Sequence, residues 1–144
     1  MICGQMLYIE LTQLLPARLS LIQLKVVHRA HLSKARIAEM YPGADSKCDR
    51  CAQSQAHLTH MFWYCPQLQR FWSLVFDTLS NVLGVTVQPC PLLAIFGTSL
   101  NPLWNNGQKK ELIAFATLLA RRRILLSWKD SKPPSHSIWL NDVI

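Results

Sequence analysis

The stretch that decides the fold runs from Cys48 to Cys65 and reads CDRCAQSQAHLTHMFWYC. Its C-x2-C-x8-H-x4-C spacing brings four soft metal-ligand side chains into eighteen residues. Zn²⁺ prefers four nitrogen or sulfur donors in a tetrahedron, and structural sites fill all four positions with protein. The stretch therefore predicts a structural Zn²⁺ site in which Cys48, Cys51, His60 and Cys65 are the ligands.

Other interpretations of these residues are open. A C-x2-C pair also occurs in redox dithiols, which expect a buried strand before the pair, whereas the residues before Cys48 are polar. Cysteines are also often simply buried in a core, yet three of the five cysteines cluster here beside a histidine. His57 competes with His60 for the third ligand position, because residues three apart share a helix face. His60 is favoured because four residues separate it from Cys65, whereas seven separate His57 from Cys65.

Further motifs flank the cysteines: LKVVHRAH at 24–31, HMFWYCP at 60–66, FW at 71–72, AFATLLARRR at 114–123 and KPPS at 132–135. The first three, with the cysteines between them, resemble the zinc-binding domain that follows the polymerase in LINE-type non-LTR retrotransposon reverse transcriptases, and the last two resemble the C-terminal tail of such polyproteins. The resemblance covers about residues 24–144 and implies a nucleic-acid-associated zinc module whose partners include other parts of such a polyprotein. The adjacent aspartates of a polymerase and an endonuclease half are not found in the sequence.

The composition indicates a small globular domain that buries part of its surface against a partner. Half of the 144 residues are hydrophobic and 16% are charged. The longest apolar run, 112–120, ends at three arginines and is far shorter than the ~20 residues that a membrane helix needs. The sequence thus predicts no membrane association, and the absence of a secretory signal together with metal-ligand cysteines predicts an intracellular location, in the nucleus or cytoplasm.

The net charge of +7 favours polyanionic partners. Lys25, Arg29 and Arg36 follow helical spacing and are expected to share one basic face. Basic side chains and exposed aromatic rings are the groups with which proteins bind single-stranded nucleic acid. The predicted nucleic-acid-binding residues are Lys25, Arg29, Arg36, Lys47, Arg50, Trp63 and Tyr64. The alternative is that these charges only solvate the surface and that the rings belong to the core.

Helical periodicity predicts an all-α fold: a small helical domain around a CCHC zinc knuckle with irregular loops. Helices are expected over 19–31, from a Ser33 cap to Met40, over 59–65, from Pro66 to a Gly84 cap, and over 108–129, with a last turn after Ser135. The domain organisation follows: an unplaced segment 1–18, a helical zinc-knuckle domain 19–84, an irregular connector 85–107, and a helical tail 108–144 that packs on the knuckle domain.

The sequence does not predict an enzyme. Its eight acidic residues are scattered, and a metal with four protein ligands has no open position. A small-molecule substrate is not expected either. The predicted function is weak binding of RNA or single-stranded DNA. The alternatives are a zinc-stapled module that only docks other proteins, and a decayed retroelement fragment without its own activity.

Overall fold

The computed structural model describes residues 17–97 and 107–144, and side chains from residue 19 onward. The described residues form helices and no strand, as the predicted all-α class requires. The helices are α1 (Ala17–Val27), α2 (Lys34–Met40), a π-helical turn (His60–Tyr64), a 3-10 turn (Pro66–Leu68), α3 (Gln69–Leu83), α4 (Pro91–Phe96), α5 (Gly107–Leu126) and α6 (His136–Val143).

Local capping chemistry sets several helix ends. The Ser33 hydroxyl accepts a hydrogen bond from the Arg36 backbone N–H at 3.1 Å, so Ser33 is the N-cap of α2 as predicted. Gly84 ends α3 with a left-handed φ of 71°, which glycine adopts without strain. Pro66 opens the 3-10 turn that leads into α3, where its missing N–H costs nothing.

Helix α5 is the centre of the fold and packs against α1, α3, α4 and α6. Its sequence is apolar on nearly every side, and residues around most of its circumference are buried. The indole N–H of Trp139 on α6 donates to the Ala116 carbonyl at 2.9 Å and ties the C-terminal helix to α5. One continuous apolar core joins this C-terminal region to the cysteine-rich region, since Trp139 and Cys65 both belong to it.

Two predicted elements differ from the structure. The sequence predicts an irregular segment over 85–107, but α4 lies inside it: Pro91 occupies the first turn and Gly97 caps the end with a φ of 72°. The predicted helix 19–31 ends early, at Val27, because Arg29 turns left-handed with a φ of 52°. Residues 1–16 and 98–106 lie outside the described part, and so does most of the unplaced segment 1–18.

No helix in residues 17–97 and 107–144 has both the length and the apolar character needed to cross a membrane.

Candidate metal centre

The structure brings the four predicted ligand side chains together. The ligand atoms of Cys48, Cys51, His60 and Cys65 all lie within 4.8 Å of one another. Cys48, His60 and Cys65 are buried and Cys51 is partly exposed. Four converging soft donors at one buried point form a group that could hold a metal ion.

The first pair of donors lies on a tight turn. The Ala52 N–H donates to the Cys48 carbonyl at 2.8 Å, and the Cys48 N–H donates to the Gln53 carbonyl at 2.9 Å. Ala52 takes a left-handed φ of 62° to close this loop. The turn directs the Cys48 and Cys51 side chains to the same side, which is what a two-residue gap between the cysteines allows.

The second pair lies at the two ends of the π-helical turn. The Cys65 N–H donates to the His60 carbonyl at 2.9 Å, a bond that spans five residues instead of four. In an α-helix, residues five apart point about 140° away from each other, but the wider turn stacks Cys65 over His60. Cys65 itself leaves the helical region at ψ 125°, as expected for the residue before Pro66.

Side chains from elsewhere bind the carbonyls that the π-helical turn leaves free. The Met61 carbonyl accepts from Arg50 Nη2 at 2.7 Å, and the Phe62 carbonyl accepts from the Trp72 indole at 2.8 Å. The next carbonyl, that of Trp63, accepts from the Gln69 amide at 2.8 Å. These three bonds explain how an unusual turn persists, because buried carbonyls must find partners. The contribution of Gln69 and Trp72 was not predicted from the sequence.

The distances between donor atoms fit a tetrahedral metal. Zn–S bonds of 2.3 Å and Zn–N bonds of 2.0–2.1 Å place two sulfurs about 3.8 Å apart and a sulfur and a nitrogen about 3.6 Å apart. The Cys48 and Cys65 sulfurs are 3.8 Å apart, and Cys51 Sγ lies 3.3 Å from His60 Nε2. The sulfur pair is also far longer than a disulfide bond, and all three cysteines are free.

Burial and one nearby cation determine how these donors ionise. Burial raises the pKa of the Cys65 thiol to about 11, although the Arg50 charge acts in the opposite direction. Burial also acts against ionisation at Cys48, but backbone N–H groups of the turn and the Arg50 charge outweigh it, and the pKa of Cys48 is lowered. Burial first, and the Arg50 charge second, lower the pKa of His60 and keep the neutral imidazole that metals bind.

His57, the competing histidine, is exposed and does not belong to the cluster. It lies with α1 and α2 around a neighbouring cavity. His60, and not His57, is therefore the histidine that lies with the three cysteines.

Two of the predicted nucleic-acid-binding residues are buried, which corrects their assignment. Trp63 is 9% exposed and its ring packs against Trp72 and Phe76, so it presents no face to a base. Arg50 is 8% exposed and lies beside the metal ligands, where it holds the π-helical turn. Of the two rings predicted to stack on bases, Tyr64 is the one that is exposed, at 59%.

The other basic side chains that were predicted to bind nucleic acid are exposed, but they do not form one helical face. Lys25 lies on α1, Arg29 lies in the turn after it, and Arg36 lies on the separate helix α2. Arg29 and Arg36 nevertheless meet at one cavity, which Lys25 does not line. Lys47 is exposed next to the first ligand.

No protein-family model matches this chain.

Proposed function

We propose that the chain is a zinc-stapled helical module that binds single-stranded nucleic acid and belongs beside the polymerase of a LINE-type polyprotein. The observation that carries the zinc assignment is the donor set: three cysteines and one histidine whose ligand atoms lie within 4.8 Å of one another, with the Cys48 and Cys65 sulfurs at the 3.8 Å expected around tetrahedral Zn²⁺. Cys48, Cys51, His60 and Cys65 would hold the ion. The bound ion would staple the loop 41–59 to the π-helical turn.

The proposed role is binding and not catalysis. Four protein donors fill a tetrahedral shell and leave no position for a water molecule or substrate. Zinc would therefore contribute folding free energy.

Nucleic-acid binding is supported by the charges and the ring that remain exposed around the knuckle. Lys47 and Tyr64 are both exposed, and each flanks a metal ligand in sequence. Exposed lysine and arginine side chains release counterions from a phosphate backbone, and an exposed aromatic ring stacks on an unpaired nucleobase. With few such groups, we expect affinities no tighter than micromolar and little sequence preference.

The test is a fluorescence-anisotropy titration of labelled single-stranded RNA and DNA at two salt concentrations. Lys47→Gln should flatten the slope of log affinity against log salt by about 0.7, the contribution of one phosphate contact, whereas exposed Lys132→Gln should not. Tyr64→Ala should weaken binding without changing the slope. Tyr41→Ala is the matched control, since Tyr41 is 60% exposed but lies away from the ligands in sequence.

A protein-docking module is the second candidate. It is supported by apolar side chains that are about half exposed on α1, α2 and the turns after them, namely Leu21, Leu32, Met40 and Tyr41. If the zinc-loaded protein binds neither RNA nor DNA at about 50 mM salt, where phosphate contacts are strong, the nucleic-acid proposal fails and the docking role replaces it.

A further inference from the structure

A cavity of about 790 Å³ opens beside the metal centre. The C-terminal end of α1, the helix α2, the residues just before the π-helical turn and the end of α4 all contribute to its walls. This volume falls within the range of about 300–1,000 Å³ that is usual for small-molecule and cofactor sites.

The rim of this cavity is basic. Arg29 and Arg36 both line it, and among the described residues neither guanidinium has an ion pair or a hydrogen-bond acceptor. The exposed imidazoles of His28 and His57 add further N–H donors. Glu39 is the acidic side chain among the described lining residues. A rim with two unpaired guanidinium groups complements a phosphate group, which arginine binds with its fork of N–H donors.

Arg29 occupies a backbone position that favours glycine. Its N–H donates to the Val26 carbonyl and the Ala30 N–H donates to the Lys25 carbonyl, which is the Schellman pattern that ends a helix. The left-handed residue of this pattern is usually glycine, and an arginine at φ 52° is strained. Strain of this kind collects at functional sites. Here the strained position carries a charged side chain to the cavity rim.

The walls below the rim are apolar. Half-buried side chains of Leu58, Ile95 and Phe96 line them, and the Phe62 ring lies against them. An apolar cavity below two arginines matches the chemistry of one nucleotide, which is a flat ring attached to a charged phosphate. Proteins commonly bind unpaired bases of single strands in this way, by contacts with rings and apolar side chains.

We propose that this cavity receives one unpaired nucleotide of a bound strand, with the base between α2 and α4 and its phosphate at Arg29 and Arg36. This inference rests on the proposed nucleic-acid function and specifies where a strand would be held. It places part of the binding surface at the cavity formed by the end of α1, α2 and the end of α4, in addition to Lys47 and Tyr64 beside the knuckle.

The decisive variant is Arg29→Gly, which removes the charge and also relieves the backbone strain. We expect it to melt at the same or a higher temperature than the native protein, and to bind a single strand about two- to fivefold more weakly, with a salt slope lower by about 0.7. Gln55→Gly is the matched control. Gln55 is exposed with a φ of 55° and lies outside the cavity lining, so this change relieves similar strain without removing a charge.

A second pair of variants keeps the test independent of backbone effects. Arg36→Gln should also weaken binding about two- to fivefold, whereas Arg70→Gln, an exposed arginine on α3 away from the cavity, should not. The native protein should bind an abasic strand more weakly than a normal strand. In Leu58→Trp, whose larger side chain fills the cavity, this difference between the two strands should be smaller.

The outcomes separate this inference from the function on which it rests. If the native protein binds strands but Arg29→Gly and Arg36→Gln bind as tightly as their controls, the cavity is not the site while the proposed function stands. If abasic strands bind as tightly as normal strands, the proposal that a base occupies the cavity is wrong. If the native protein binds no strand, the proposed function fails and this inference fails with it.

Discussion

Replacing Cys65 by serine should uncouple the knuckle from the core. Cys65 is fully buried, its sulfur lies 3.8 Å from that of Cys48, and both belong to the apolar core. Zinc bound by four such donors contributes on the order of 10 kcal/mol of folding free energy at neutral pH. If each donor carries about a quarter, Cys65→Ser loses on the order of 3 kcal/mol. For a chain of 144 residues this lowers Tm by on the order of 10 °C.

The assay combines zinc stoichiometry of the purified protein with thermal melting, each with and without a chelator. Cys90→Ser is the matched control, because Cys90 is a partly buried free cysteine outside the cluster. We expect Cys65→Ser to bind zinc more weakly and to purify with less than one zinc per chain, and we expect Cys90→Ser to keep one zinc per chain, with a Tm close to that of the native protein. Hydrogen exchange should show the loss of protection in residues 44–65, while α5 stays protected. In the same assay, His60→Ala should lose zinc and His57→Ala should retain it.

Two results would refute this reasoning. One is a native protein whose melting is the same with and without chelator, since a structural metal cannot be removed without cost. The other is a Cys65→Ser protein that still holds one zinc per chain and melts with the Cys90→Ser control.

Three further changes test the contacts around the site and the core. Arg50→Met should reduce zinc affinity about 10- to 100-fold in a competition titration, because Arg50 supports the ligand turn, and an unchanged affinity would contradict that role. Arg121→Met should cost about 1–3 kcal/mol in a denaturant titration by orphaning the Gln23 amide oxygen, and adding Gln23→Leu should recover most of it; additive losses would exclude this coupling. Asp142→Asn should lower Tm at pH 7, since the hydrogen-bonded Arg123 lowers the pKa of Asp142. A depressed pKa stabilises the fold above the unfolded value of 3.8, so the Tm difference should close as pH falls below that value and should not persist at pH 2.

Features that depend on local chemistry could be predicted from the sequence. The Ser33 cap, the Gly84 end of α3 and the break at Cys65 before Pro66 each follow from one residue and its neighbours. The ligand set also follows from spacing, because a two-residue gap and a compact return restrict the geometry. The sequence also carries signals for α4, since a proline starts it and a glycine ends it, but the same two residue types are equally typical of loops.

Features that depend on distant partners could not be predicted. Arg121 is fully buried and has no carboxylate partner among residues 17–97 and 107–144, and burial lowers its pKa to about 9, which leaves it charged at neutral pH. Its side chain donates to Ala94 at 2.8 Å and to Gln23, which lies 98 residues away in sequence. The burial of Arg50 is similar, because its acceptor is a carbonyl that only the π-helical turn exposes. Nothing in the residue types near either arginine distinguishes them from solvated surface charges.

The π-helical turn has a consequence for how such sites are found in other chains. Residues four apart in an α-helix share a face, and the five-residue hydrogen bond from Cys65 to His60 gives the same alignment with one more residue. A histidine and a cysteine separated by three residues on an α-helix are therefore geometrically equivalent to this pair. Deleting a residue between His60 and Cys65 would preserve the donor alignment while displacing one of Met61, Phe62 and Trp63 from the core. The number of residues between the two ligands can thus change more easily than the core packing of the residues between them. A search with a fixed ligand spacing would miss chains that carry the shorter turn.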